Sequence, residues 1–299
     1  MRIVSLLPSL TELVCALGRG DELVGVSHEC DYPPGVEKLP HLTRGLIPQD
    51  ADSATIDRLV IELRGSLYTL DEALLAELKP DLILTQEQCD VCAVNEATVR
   101  RAAANLAGNP HVESVNPLDL AGLHAMFRSI GDLLGARDAA EALISDFQAT
   151  VAEIGRRIAG RPPRPVLLLE WLDPPYSAGH WNPELVELAG GIDVLGRAGQ
   201  PSRRITWDAI QAADPDLILV TACGFTLDRA RQEFPALAAR PEWTSLRAVQ
   251  TDQVALADGS AYFSRPGPRL ESSLRIAAAA IHPDLCGDLA DDCDWTFLD

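Results

Sequence analysis

Aromatic residues are scarce in this chain, 5% of 299 positions, and basic residues are outnumbered by acidic ones, 25 to 44. The resulting net charge of −19 excludes nucleic acid and anionic membrane surfaces as partners, since both attract basic proteins. No apolar run approaches the roughly 18 residues needed to cross a bilayer, so membrane insertion is excluded as well. Nucleotide enzymes are poorly supported. There is no Walker A motif, and Gly190-Gly191…Gly196…Gly199 does not form a G-x-G-x-x-G after a strand. A serine hydrolase would need a G-x-S-x-G elbow, which is also missing. No nucleophile–base pair stands out, and the chain reads as a binder rather than an enzyme.

What is present is enough apolar residue, 47%, for two domains of about 100–150 residues each. Met1-Arg2 followed by IVSLLPSL resembles a leader only superficially, because Pro8, Ser9, Thr11 and Glu12 interrupt it. Val14 before Cys15 is not the small residue that a lipoprotein cleavage site needs. The seven cysteines, an odd number in a long chain, suit a reducing compartment better than a disulfide framework. These features place the sequence as it stands in the cytoplasm, or in the periplasm or at the cell surface if its start is truncated.

Internal repetition gives the architecture. Pro80-Asp81-Leu82-Ile83-Leu84 recurs as Pro215-Asp216-Leu217-Ile218-Leu219, and Glu12-Leu13-Val14 recurs as Glu184-Leu185-Val186. Two matched pairs in the same order imply two halves of similar build. The interval from Glu to Pro is longer in the first half, which therefore holds about 37 additional residues, roughly 31–68.

Strand-like runs alternate with helix-like ones, the pattern of an α/β fold with mostly parallel sheets. In the first half, Ile3–Leu7, Leu23–Val26, Leu82–Leu84 and Val112–Val115 are the expected strands. A helix follows the first of them, with Ser9 as N-cap and Glu12 completing a capping box. Residues 35–55 read as loop, with helices over about 55–63, 70–78 and 95–107. Leu143, Phe147, Val151, Ile154 and Ile158 then recur at helical spacing. Their helix is capped at Asp138 and stopped at Gly160, and at 1.5 Å per residue it reaches about 33 Å. In the second half, Val166–Leu169, Leu217–Val220 and Val254–Ala257 are the strands. Helices are expected over about 183–189, 205–213, 227–234 and 270–280. The division is thus residues 1–117 as one α/β lobe, 118–160 as a helical connector with its long helix at about 138–160, 161–285 as a second lobe, and 286–299 as an acidic tail that packs on the surface or serves as a contact segment.

In open parallel sheets ligands bind beyond the carboxyl ends of strands. The residues that follow the strands here are Ser9 and Thr11, His28 to Tyr32, and Gln86 to Cys92 in the first half. In the second they are Glu170 to Tyr176 with His180 and Trp181, Thr221 to Phe225, and Tyr262 to Arg265. Few aromatics exist, yet Tyr32, Trp171, Tyr176, Trp181, Phe225, Tyr262 and Phe263 all fall in these segments. Anchoring of loops onto the sheet explains any one of them; a cleft with aromatic walls explains the set.

The stretches SLLPSLTELVCALG, LVGVSHECDYP, the PDLIL strand, the long middle helix and PELVELAGG together resemble the cobalamin- and siderophore-type substrate-binding proteins of ABC importers. The resemblance covers essentially the whole chain and is closest to a cobalamin-binding branch that lacks an export signal. It implies two α/β lobes joined by one rigid long helix, with the ligand between the lobes and an ABC permease as partner. It also implies that Tyr32, Trp171, Trp181 and Tyr262 flank a corrin ring, as a non-enzymatic site that requires no cofactor of its own. Ser9, Thr11, Gln86 and Arg265 would give polar contacts to the ligand, and Cys30, Asp31, Cys89, Tyr176 and Phe225 would complete the lining. His28 and His180 each offer either an imidazole to cobalt or a hydrogen bond.

The cysteines leave a second reading open. Cys89-x-x-Cys92 with Cys30 and His28, all in loops that follow strands of one lobe, has the ligand types of a zinc or iron site. The same thiols suit a redox role, and packed cysteines without chemistry are the plainer account. On that alternative the chain is a cytoplasmic metal-binding or thiol-redox protein using Cys30, Cys89 and Cys92.

Overall fold

A computed structural model describes residues 1–48, 50–63, 67–87, 94–291 and 293–298. Two compact units divide the chain. Met1–Ala51, Thr55–Pro117 and Ala121–Leu143 form the first; Asp52–Ala54, Leu118–Leu120 and Ile144–Asp299 form the second. Both carry mainly parallel sheets, the α/β fold that the alternation of strands and helices implies.

In the first unit, four strands lie in the order Leu23–Val26, Ile3–Ser5, Leu82–Gln86, His111–Val115, with every pairing parallel. Leu82–Gln86 is buried along its whole length, as a continuous apolar run in a parallel sheet should be. Asp81 ties its start to the neighbouring strand by accepting the Arg2 backbone N–H at 2.7 Å. The preceding helix, Glu72–Leu78, is capped by the Asp71 side chain on the Leu74 N–H and stops at Lys79, whose φ is +46°. On one face of the sheet Val4, Leu6 and Ile83 pack with Leu75, Val99, Ala102 and Ala103 in a single buried cluster.

The first helix departs from expectation. It runs Pro8–Ala16 with Leu7 as N-cap and no side-chain cap, so Ser9 lies inside its first turn and makes no capping box. Proline explains the shift, because its fixed φ and missing N–H suit the first helical position. The stretch at 35–55 is also more than loop: Thr43–Gly45 pairs antiparallel with Tyr68–Leu70. Three-residue strands are too short to show a period of two. The helix expected from Leu70 accordingly begins at Glu72.

The second unit is built on a sheet ordered Arg203–Arg204, Tyr176–Ser177, Arg164–Trp171, Leu217–Val220, Val254–Ala257, Trp295–Phe297, with Gly191–Asp193 also paired to Arg164–Trp171. Its three central strands are parallel. The tail differs from the reading as surface packing, since Trp295–Phe297 adds an antiparallel edge strand to Val254–Ala257 and Trp295 is buried. The alanine-rich helix Leu270–Ile281 has nine buried residues, because only small side chains let it approach the strands so closely.

The long helix is Arg137–Arg157, 21 residues. Its buried line is Ala140, Ile144, Phe147, Thr150 and Ile154 rather than the expected stripe, of which Leu143, Val151 and Ile158 are half-buried. Thr150 hides the true periodicity: it is polar, fully buried, and donates to Glu271 Oε1 at 2.7 Å. Among the described residues no helix is long and apolar enough to cross a membrane.

Candidate functional site

The carboxyl edge of the first unit gathers Ser9, Thr11, His28, Cys30, Asp31, Tyr32 and Gln86. His28 follows the Leu23–Val26 strand, and its Nδ1 lies 2.7 Å from Thr43 Oγ1. Thr43 also accepts the His28 backbone N–H and sits 3.0 Å from Ser27 Oγ. Burial lowers the His28 pKa, and neighbouring His41 lowers it further. The ring is therefore neutral at pH 7, with one nitrogen left as an acceptor. Tyr68 stacks obliquely on it, centroids 5.5 Å apart, and donates its hydroxyl to Glu29 Oε1 at 2.9 Å. The short antiparallel ribbon that sequence reasoning missed thus delivers both side chains that fix His28.

Cys30 faces inward. Its Sγ is 3.1 Å from Thr11 Oγ1, and it packs with Val26 and Val36. Thr11 and Cys30, both expected to contact ligand, are buried and touch each other in this structure. Asp31 and Tyr32 are exposed, Tyr32 at 44%. Among the described residues, the one group of three metal-ligating side chains within reach of a single ion is Asp291, Cys293 and Asp294, in the tail. His28 and Cys30 do not join it, and Cys89 and Cys92 lie outside the described residues.

In the second unit the corresponding edge carries Trp171, Tyr176, His180, Trp181, Phe225, Tyr262 and Arg265. Trp171 ends its strand half-buried, donates its indole N–H to Ser53 O at 3.2 Å and meets Phe225 at 5.2 Å. Phe225 is 2% exposed beneath the Arg229 guanidinium, which lies 3.9 Å from the ring centre. Trp181 is 4% exposed. In this structure Phe225 packs on Trp171 and Trp181 on His180. Tyr176, His180, Tyr262 and Arg265 are half-buried. The guanidinium of Arg269 lies over the Tyr262 ring at 5.5 Å, and burial with the nearby Asp294 carboxylate raises the phenol's pKa. Arg265 reaches Ser260 Oγ at 3.5 Å.

Glu170 is the residue at this edge whose importance the sequence did not show. It sits at the end of the central Arg164–Trp171 strand. Its Oε1 accepts from the Gly179 N–H at 3.1 Å and Asn182 Nδ2 at 2.7 Å, and its Oε2 accepts from Ser202 Oγ. Burial raises its pKa against these three donors. The donors belong to two segments, 176–182 and 197–205, which also bond each other. His180 N donates to Gln200 O at 2.6 Å, and Gly199 N to His180 O at 2.9 Å. One buried carboxyl therefore fixes the turn that presents His180, itself in the left-handed region at φ +52°. Burial lowers the His180 pKa and keeps that ring neutral too. Asp193 lies in the same region and accepts from the Leu195 and Gly196 amides. Burial, opposed by those amides and aided by the Glu170 charge, pushes its pKa up to about 7. The only sequence signal for Glu170 was an acidic residue closing an apolar run.

Buried polar atoms without hydrogen-bond partners recur at both edges: Ser9 Oγ and Gln86 Nε2 in the first unit, Ser177 Oγ, Thr221 Oγ1 and Trp181 Nε1 in the second. Each edge thus carries a neutral imidazole, partly exposed aromatic side chains and spare donors. The chain is 26% identical to the ABC transporter substrate-binding lipoprotein YvrC of Bacillus subtilis, over 95% of this chain and 80% of that one. It is 25% identical to the vitamin B12-binding protein of Vibrio cholerae, over 90% and 84%. Among solved structures, a periplasmic heme-binding protein from Pseudomonas aeruginosa superposes with a TM-score of 0.71 at 22% identity, covering 95% of this chain and 93% of that one. The vitamin B12-binding protein BtuF of Vibrio cholerae gives 0.65 at 20%, covering 94% and 96%. These two likenesses speak for the fold. The periplasmic binding protein family model matches residues 3–261, and the chain belongs to that family of non-enzymatic substrate-binding proteins.

Proposed function

We propose that the chain binds a cobalamin-like corrinoid, or another metal-bearing macrocycle, as the substrate-binding component of an ABC importer. The observation that carries this reading is the set of aromatic side chains left partly open at the carboxyl edges: Tyr32 in the first unit, and Trp171, Tyr176 and Tyr262 in the second. In a chain with so few aromatics, rings kept at these edges favour a broad, flat ligand over a small polar one. The curated relatives named vitamin B12-binding proteins support the corrinoid within that class. His28 and His180, neutral and half-buried, are the side chains able to offer an imidazole to the central metal.

The test is absorbance titration of the protein with hydroxocobalamin and with haem. Binding in the micromolar range or tighter is expected, which corresponds to about 8 kcal/mol or more. Tyr32→Ala should weaken it by about tenfold, since one stacked ring is worth on the order of 1 kcal/mol beyond its buried area. No binding of either compound at about ten micromolar protein, a concentration at which a micromolar Kd would show, refutes the proposal.

A further inference from the structure

The first unit holds hydrogen-bond donors that its own chain does not use. Ser5 Oγ and Thr11 Oγ1 both donate to Leu7 O, at 3.1 and 3.3 Å, and the Leu10 and Thr11 amides converge on the same oxygen. That carbonyl is saturated. Ser9, 1% exposed, stands in the same turn with a hydroxyl that has no partner. Pro8 has no N–H to offer and Leu7 gives no side-chain cap, so the Ser9 amide is the open donor of this nine-residue helix's N-terminus, the end that carries its partial positive charge.

A second unused donor lies close in the sheet. Ile3, Val4 and Ser5 pair with Leu82, Ile83 and Leu84, and Leu6 N continues the ladder to Leu84 O at 2.9 Å. Extending that register places Gln86 beside Leu7, directly before the helix. Alternation puts Gln86 on the face of Ser5 and Leu84, opposite the apolar cluster that holds Val4, Leu6 and Ile83. Gln86 is 5% exposed, and its Nε2 has no partner. Unpaired buried donors destabilise a fold, so two of them beside an open helix N-terminus mark a place kept for an acceptor.

We infer that Ser9, Gln86 and the N-terminus of Pro8–Ala16 form a subsite for an acceptor oxygen on a side arm of the ligand, a carboxamide carbonyl or a carboxylate. The inference rests on the macrocycle reading and sharpens it. Corrinoids carry carboxamide arms and haem carries carboxylates, so the same donors serve either ring at its rim rather than at its metal.

The experiment compares the parent chain with Ser9→Ala and Gln86→Met, the latter keeping side-chain length while removing the amide. Titrations with hydroxocobalamin and with haem should show each variant binding about 3- to 10-fold more weakly to whichever ring the parent prefers, the loss of one neutral hydrogen bond. Thermal unfolding of the ligand-free proteins should show midpoints raised by about 2 °C, since each change removes an unpaired buried donor. Unchanged affinity in both variants, or lowered midpoints in both, overturns the subsite. A parent that binds neither ring refutes the proposed ligand class instead, and the direction of the midpoint shift still decides whether the donors are spare.

Discussion

The Asp193 carboxyl makes stability depend on pH in a direction opposite to that of most paired carboxylates. Its pKa rises from an ordinary 3.8 to about 7, chiefly through burial. In the folded chain it therefore keeps its proton over a range where the unfolded chain has lost it. Between about pH 4 and 7 the native state binds more protons, so stability falls as pH rises across that window. The contribution is complete below about pH 4 and fully lost above about 7. Holding the proton up to about pH 7 rather than 3.8 amounts to about 4 kcal/mol. Asp193→Asn isolates it. The asparagine carbonyl can still accept from the Leu195 and Gly196 amides, as Asp193 Oδ1 does at 3.1 and 2.7 Å. The amide takes the place of Oδ2, which has no partner. Urea unfolding of both proteins at several pH values between 5 and 8 is the assay. At pH 5 the variant should already be more stable by about 1–2 kcal/mol, and at pH 8 by about 4 kcal/mol. Other titrating groups act in both proteins and cancel in the difference. Identical pH profiles, or a variant less stable at pH 8, would refute the reasoning.

Three further outcomes follow from the same geometry. Glu170→Ala strips the acceptor from Gly179, Asn182 and Ser202. It should cost about 2–4 kcal/mol in denaturant unfolding, with a changed near-ultraviolet circular dichroism signal as Trp181 loosens. At Gly179 an added Cβ would run into the backbone of Gln200 and Ser202. Gly179→Ala should therefore destabilise by about 3 kcal/mol or more in the same assay, whereas Gly199→Ala, with open space around it, should lose only the smaller strain of its positive φ. Ile83→Ala, fully buried in the first unit's cluster, should cost about 2–5 kcal/mol by chemical denaturation without altering the spectrum of bound ligand.

The repeated strands were legible because their signal is local. A turn residue before three consecutive branched apolar side chains suffices, and Leu82–Gln86 and Leu217–Val220 both pair in parallel with the first strand of their units. The repeated Glu-Leu-Val was less faithful. Glu12 is the fifth residue of the helix Pro8–Ala16, whereas Glu184 is the third of Asn182–Leu188 and accepts the Leu120 N–H at 2.8 Å. Identical letters thus sit at different depths in their helices. Of the expected site residues, Tyr32, Trp171, Tyr176, His180, Tyr262 and Arg265 keep some surface, since strand ends are where a sheet stops covering side chains. Trp181, Phe225, Thr11 and Cys30 do not. Position after a strand places a residue at the edge, but the rotation of its side chain depends on partners elsewhere in the chain.

That distinction explains which polar residues escaped notice. Thr43 fixes His28 from 15 positions away, and Ser202 reaches Glu170 from 32; neither spacing belongs to any helical or strand period. Buried polar groups must find partners wherever the fold brings them, so their pairing is a property of topology rather than of pattern. The consequence for recognition is specific. Residues that could be named from the sequence are the aromatics at the strand ends, which on the proposed function cover a ligand by area. Those that could not, Glu170 and Thr43, act by holding other groups still, and the orientation of both neutral histidines depends on them. A relative that kept every aromatic but exchanged Glu170 would keep the surface and lose the fixed His180 turn; on the proposed function it should retain affinity for a flat ligand while losing discrimination at that ligand's metal.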